Sequence, residues 1–312
     1  MDKDLKIYIA GHNGMVGSAI KRKLEEMGYK NLIFRNSFEL NLEDQKRVEE
    51  FFQEEKPEYV FDAAAKVGGI HSNNTYRAEF IYKNLQIQNH LIHFSWKFGV
   101  KKLLFLASNC VYPKNCLQPI KESYLLSGYL EPTNQPFSVA KIAGIEMCQS
   151  YNKQYGTNFI SVVAANSYGI NDTYDLSNSH LIPSLILKFH EAKINNKNEV
   201  DVWGTGKPRR EGMYVDDLAD ACIFLMQKYD SSEIINVGTG IDRTIKEIAN
   251  LVKDVVEFDG KIVFDETKPD GMSRKILDVS KINNLGWKAK IDLKEGIKLA
   301  YGWFVNTRNK EK

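Results

Sequence analysis

The chain predicts a doubly wound parallel α/β sheet followed by a smaller mixed α/β lobe. Three observations carry this. Strand patterns alternate with helical periodicity from Ile7 to Ala164, a glycine triplet follows the first strand directly, and the texture becomes polar and mixed after Tyr168. In order, Ile7 to Ala10 is a short apolar strand and Val16 to Met27 a helix. Leu32 to Phe34 is a second strand, Val48 to Phe52 an amphipathic segment, and Tyr59 to Ala64 a third strand. A long helix over Tyr82 to Phe98 leads to the buried-strand pattern Lys102 to Ala107, then a helix over Lys141 to Tyr155 and a strand over Asn158 to Ala164. Right-handed crossovers leave little choice beyond a Rossmann-type sheet covered on both faces.

Gly169 to Ser179 is polar and turn-rich and links or caps. Beyond it come helices near Leu181 to Ala192, Asp216 to Lys228 and Thr244 to Val256, with short strands near Val200 to Trp203 and Lys261 to Phe264. The lysine-rich tail after Asn306 reads as a solvated end. At 312 residues the chain accommodates one large domain or two modest ones. Residues 1–168 form the first, with some later segments returning to it, and 169–312 mainly the second.

Hydrophobic residues make up 43% and charged residues 26%, as in ordinary globular proteins. Forty-two Lys and Arg against 40 Asp and Glu leave a net charge of +2, so no whole-protein field attracts nucleic acid or an anionic membrane. No apolar run approaches a membrane span, and the N-terminus enters a strand pattern without leader features, so the expected location is the cytoplasm. Cys110, Cys116, Cys148 and Cys222 form no CxxC pair and no cluster at metal spacing, so neither a metal site nor a disulfide framework is expected.

Gly11, Gly14 and Gly17 make a GxxGxxG between a strand and a helix. Small residues there let the backbone turn tightly against a pyrophosphate that the helix N-terminus then binds. At the end of the second strand stands Arg35 and no acid until Glu39. An arginine pairs with a ribose 2′-phosphate where a carboxylate would repel it, which favours NADP(H); a solvated strand-end arginine is the plainer reading. Ser108 follows the buried strand KLLFLA, and Phe137 and Lys141, four residues apart entering a helix, face the same way.

The strings AGHNGMVGSAI, AAAKVGGI, NNTY, LEPTNQP, AKIAGI, SNSHLIPSL, VWGTGKPRRE and YVDDLADA resemble the GDP-L-fucose synthase family. These are NADPH-dependent epimerase/reductases of GDP-4-keto-6-deoxymannose in the extended short-chain dehydrogenase/reductase superfamily. The resemblance runs nearly the whole length. It implies a cofactor site at Gly11, Asn13, Gly14, Met15, Val16, Gly17, Arg35, Ala64, Lys141 and His180. It also implies a GDP-sugar site at Asn166, Leu181, Leu185, Lys188, Val202, Trp203 and Arg210. In the family a Ser, a Tyr and a Lys carry out the reduction, and a Cys and a His move protons during C3 and C5 epimerisation. Ser108, Lys141, Cys110 and His180 match; the tyrosine position is Phe137. Phenylalanine keeps the ring and loses the proton donor, so the chain as written should reduce poorly. Three explanations stay open: an engineered change, a natural one with another donor, or binding without turnover.

Other departures cluster. Asn13 replaces an Arg in the glycine turn, AANSYGI replaces PTNLYGP, His71 and Arg77 stand beside the presumed sugar site, and EGMYVDD, with Gly212 and Met213, replaces EFLYVDD. Smaller residues there suggest a larger sugar, such as a heptose reduced at C4 by a paralogue without epimerase activity. The Ser108-Asn109-Cys110 stretch argues against a dehydratase, which places Thr-Asp-Glu there. Relatives dimerise through two long helices, and the helices near Tyr82 to Phe98 and Lys141 to Tyr155 could do so here. The implied setting is nucleotide-sugar biosynthesis for a capsule or surface polysaccharide.

Overall fold

The computed structural model describes residues 2–176, 178–268 and 270–310. Position 177 of the polar stretch, position 269 of FDETKPDG and the last two residues of the lysine-rich tail lie outside the described residues. Along the chain the elements are β1 (Ile7–Ala10), α1 (Met15–Glu26), β2 (Leu32–Ile33), α2 (Gln45–Glu55), β3 (Tyr59–Asp62), α3 (Ile70–Thr75), α4 (Arg77–Lys97), β4 (Lys102–Ser108), α5 (Gln135–Tyr155) and β5 (Phe159–Ala164). There follow β6 (Ser167–Tyr168), α6 (Leu181–Ile194), β7 (Glu199–Trp203), β8 (Arg209–Glu211), β9 (Met213–Tyr214), α7 (Val215–Lys228), β10 (Ile235–Val237) and β11 (Asp242–Thr244). The last are α8 (Ile245–Val256), β12 (Lys261–Asp265), β13 (Arg274–Lys275), α9 (Ser280–Asn284) and α10 (Leu293–Lys310).

The strands of the main sheet lie in the order β10-β5-β4-β3-β1-β2, all pairs parallel. Runs such as Ile7–Ala10 and Phe159–Ala164 are buried throughout, as strands covered on both faces must be. One helical layer sets α1 against α7, and another sets α4 against α2 and α5. The chain reverses direction across the sheet between β1 and β3, opening a crevice at the carboxyl ends of those strands. A second core gathers Leu185, Phe189, Val202, Ile248, Val252, Ile297 and Phe304 from α6, β7, α8 and α10.

Three expectations need correction. The helices near Tyr82 and Lys141 start earlier, at Arg77 and Gln135, because their polar first turns carry no apolar periodicity; Pro136 suits the opening turn of α5. The strands end at Ile33 and Asp62, short of Phe34 and Ala64. The tail is no loose end: α10 runs to Lys310, buries Ile297, Ala300 and Phe304, and ties Arg308 to Glu191 at 3.2 Å.

Glu211 on β8 fastens the loop after β10 and the segment after β13. Its buried carboxylate accepts the N–H groups of Thr239 (2.6 Å), Gly240 (2.7 Å) and Leu277 (3.0 Å), and the Thr239 hydroxyl. Burial pushes its pKa up and these four donors resist. Glu211→Ala strands three N–H groups in the interior, and we expect it to cost about 3 kcal/mol, read from the midpoint of urea unfolding. A loss under about 1 kcal/mol would contradict the fastening role.

Candidate active site

Gly11 leaves β1 at φ +79°, and a Cβ there would stand 2.7 Å from the Ala63 carbonyl oxygen. A Cβ on Gly17 would overlap the Gly11 carbonyl itself. Gly14 donates to the Gly11 carbonyl at 2.9 Å and caps α1 with no side chain, and the first turn of α1 carries no acid. Free N–H groups and the positive end of the helix therefore face the crevice, a ready site for phosphate oxygens. Asn13 and Gly14 are exposed, Met15 and Val16 half-buried against the main core, and Ala64 half-buried beyond β3. A dinucleotide fits these residues: the cradle is one that any side chain at Gly11 or Gly17 would fill.

Arg35 is not free for a phosphate. Its guanidinium holds Glu55 at 2.5 Å, donates to the Phe34 carbonyl and lies 5.8 Å from the Phe51 ring. Two residues that sequence reading missed stand at the mouth. The His12 ring lies 4.9 Å from that of Phe34, and the Lys21 ammonium sits 4.2 Å over the same ring. With Asn13, Ser18 and Arg22 they line a cavity of about 650 Å³. Desolvation and then Lys21 hold the His12 imidazole below its ordinary pKa.

Ser108 closes β4 half-buried, and Cys110 follows on a single 3₁₀ turn, buried. Across from them α5 presents Phe137, whose ring meets Phe80 edge-on at 6.4 Å, and Lys141, one turn on. Lys141 is 4% exposed; it donates to the Leu106 carbonyl at 2.9 Å and stands 4.5 Å from the Phe105 ring centroid. Burial pulls its pKa down, and Asp62, Cys110 and Cys148 oppose the fall. His180 caps α6 and opens to solvent on one side. The protein packed around its ring, together with the Lys275 ammonium, holds the imidazole below its usual value.

Toward the second lobe, parallel pairing of β8 and β13 sets Arg210 opposite Lys275. Lys275 is a candidate that sequence reading missed here. Burial lowers its pKa, and the groups in its field are Cys110, Arg210, Cys116 and Glu131. Arg210 donates to the Arg209 carbonyl, and burial lowers its pKa against the pull of Asp270. Trp203 is 63% exposed, with the ammonium groups of Lys188 and Lys268 5.9 and 5.8 Å from its ring. Asn166 is exposed and accepts from Asn109 at 3.3 Å. Leu181 is half-buried; Leu185 and Val202 are packed into the second core, so their side chains support the lobe from within.

The small residues taken as sugar-facing are corrected by packing. Ala164, Ala165 and Met213 are buried in the main core, and a Cβ on Gly212 would meet Ile182 at 2.9 Å and Leu293 at 3.2 Å. They answer to packing and not to a wider sugar pocket. His71 is exposed on α3, and Arg77 donates to the Pro132 carbonyl at 2.8 Å. Among the described residues no group of three or more His, Cys, Asp or Glu side chains could hold a metal, and no helix is long and apolar enough to cross a membrane.

The comparisons agree along the whole chain. GDP-L-fucose synthase 1 of Arabidopsis thaliana is 55% identical over 304 residues, covering 97% of this chain and 94% of that one. GDP-L-fucose synthase of Escherichia coli (strain K12) is 48% identical over 314 residues, covering 98% of each. Among solved structures, MlghC, a GDP-mannoheptose C4 reductase from Campylobacter jejuni with NADP bound, superposes with a TM-score of 0.89 at 43% identity, covering 98% of this chain and 99% of that one. The model of the NAD dependent epimerase/dehydratase family matches residues 7–238, and with relatives this similar over this length, the chain belongs to that family.

Proposed function

We propose that the chain reduces the C4 ketone of a GDP-linked 4-keto sugar with NADPH, in the biosynthesis of a nucleotide sugar. The observation that supports the reading is Cys110, just after Ser108, in the fields of both Lys141 and the Lys275–Arg210 pair, on a fold that carries a dinucleotide cradle after β1. Residues 1–168 hold the cofactor in this reading, and 169–312 supply most of the sugar-nucleotide contacts. NADPH, when bound, supplies hydride. Ser108 donates a hydrogen bond to the C4 oxygen, and the Lys141 ammonium adds positive charge as that oxygen becomes an alkoxide. Arg210, forked and always charged, and Lys275 bind the pyrophosphate, and Trp203 offers a stacking face to the base. Lys188 and Asn166 border that path. Cys110 and the neutral imidazole of His180 are the acid–base pair for protons next to the ketone.

A second reading has a heptose in place of the 6-deoxyhexose, and the likeness to the Campylobacter jejuni reductase favours it. NADPH consumption with GDP-4-keto-6-deoxymannose and with a GDP-4-keto-heptose, run side by side, separates the two. Equal or greater turnover of the hexose counts against the heptose. No consumption with either removes the reductase reading. The proposal includes a cytoplasmic homodimer paired through α4 and α5, where Tyr82, Val139 and Tyr155 are exposed, and a product destined for a capsule or other surface polysaccharide. Light scattering at micromolar concentration tests the pairing.

Cofactor preference follows from charge. With the Lys21 ammonium over Phe34 at the second strand's end, and Arg35 able to turn from Glu55 to a bound phosphate, NADPH should bind at least about tenfold more tightly than NADH, or about 1.4 kcal/mol. Fluorescence titration checks this, and equal affinities would refute the assignment of these cations to a 2′-phosphate.

A further inference from the structure

One buried carboxylate is not used by the reading above. Asp62 ends β3, is wholly buried, and stands in register with Phe105 on β4, so both side chains emerge on the same face of the sheet. The Lys141 ammonium lies 4.5 Å from that same Phe105 ring. Asp62 Oδ1 accepts one long bond from the Ala64 N–H at 3.3 Å, and Oδ2 has no hydrogen-bond partner. An ionised carboxylate with one free oxygen is costly in a dry interior unless a cation answers it, and so is an ammonium with one carbonyl partner. We propose that Asp62 is the buried counter-ion of Lys141, a positioning residue that keeps the lysine charged at the edge where the ketone is reduced. The inference rests on the reading of Lys141 as a reductase residue.

The electrostatics agree with the geometry. Desolvation pushes Asp62 up to about 6, and Lys141 is the charge that opposes the rise. The other titratable groups facing Lys141 are Cys110 from the turn after β4 and Cys148 from α5 itself; those facing Asp62 are Cys148 and the Tyr8 hydroxyl on β1. Cys148 and Tyr8, whose pKa values burial pushes up, are neutral near pH 7. The carboxylate and the ammonium then answer each other in this layer. With Phe137 in place of a phenol, the lysine has no hydroxyl to act through. Whatever charge it carries acts on the substrate oxygen directly or through water.

Asp62→Asn keeps the acceptor for Ala64 N–H and removes only the charge. In protein labelled at lysine Cε, with the Lys141 signal assigned from a Lys141→Arg variant, the carbon shift should report an ammonium through at least pH 8. In Asp62→Asn its titration should move down by about one pH unit. An unmoved titration, or a lysine already neutral at pH 7 in the unmodified chain, overturns the counter-ion. The second readout stands even if the Asn variant does not fold. In the NADPH assay the alkaline limb of kcat/KM should move down with the lysine. If the carbon titration moves and no NADPH is consumed by either form, the counter-ion stands and the reductase reading falls.

Discussion

Phe137→Tyr raises the kcat of NADPH consumption on a GDP-4-keto sugar by about 10²- to 10⁴-fold, the range a positioned general acid contributes, with little change in KM. The ring is already held: Phe80 meets it edge-on at 6.4 Å, and the new hydroxyl adds one atom to a half-buried side chain. Lys141 lies one turn along the same helix face, where its charge favours the phenolate that forms as the proton leaves. Stopped-flow absorbance at saturating NADPH measures both forms. If only the tyrosine form turns over, the hydroxyl is the missing acid. If the unmodified chain is equally fast, another group protonates the alkoxide and position 137 has a packing role only. If neither form consumes cofactor while GDP-sugar binding persists, the chain binds without turning over.

Gly17→Ala abolishes the cofactor site. The added methyl meets the Gly11 carbonyl and the His12 Cα, which are backbone atoms and cannot swing aside. The loop must open and the first turn of α1 must shift, so the N–H groups lose their common target. We expect NADPH affinity to fall by about 100-fold or more, near 3 kcal/mol, with a lowered melting temperature. Gly302→Ala is the control: nothing lies within 4 Å of a Cβ there, and alanine in α10 should stabilise by up to about 1 kcal/mol. Calorimetric titration of both variants with NADPH gives the comparison. A Gly17→Ala protein binding within threefold of the unmodified chain would mean that the cradle is not where the pyrophosphate lies.

How much of this was legible beforehand depends on the range of the interactions. The parallel sheet and the glycine loop are local patterns, set by runs of buried residues and by a turn within eight residues of one another, and they could be read directly. Ser108, Phe137, Lys141, Cys110, His180 and Arg210 were named from motif strings; in the fold Cys110 lies in the fields of both Lys141 and Lys275, and Arg210 and His180 share that of Lys275. What could not be read was who answers whom. Arg35 is taken up by Glu55 from the next helix, Lys275 reaches Arg210 only through a strand pairing 65 positions along, and Asp62 on β3 lies in the field of Lys141 on α5. None of these partners has a sequence spacing that marks it. Asp62 did carry one signal: a carboxylate ending an otherwise apolar strand, YVFD, that enters a buried sheet. Gly212 and Ala165 misled because a small residue looks the same in sequence whether it makes room for a ligand or for a neighbouring leucine. The last helix was hidden by Lys294 and Lys298, which are exposed outside a stripe formed by Ile297, Ala300 and Phe304.

The edge strand β10 has a consequence for how the chain is made. The sheet's sixth position, beside β5, is filled by Ile235–Val237, some seventy residues after Phe159–Ala164, and most of the second lobe's first helix and strands are synthesised in between. The second core in turn needs Phe304 from the last helix. Each half is therefore finished by residues that emerge after the other has begun. During synthesis β5 stands at an open edge until α7 and β10 leave the ribosome, and the second core stays open until α10 has followed. Residues 1–168 expressed alone would lack both the strand that covers β5 and the helix α7 that packs on α1, and would present a bare parallel edge to any other chain.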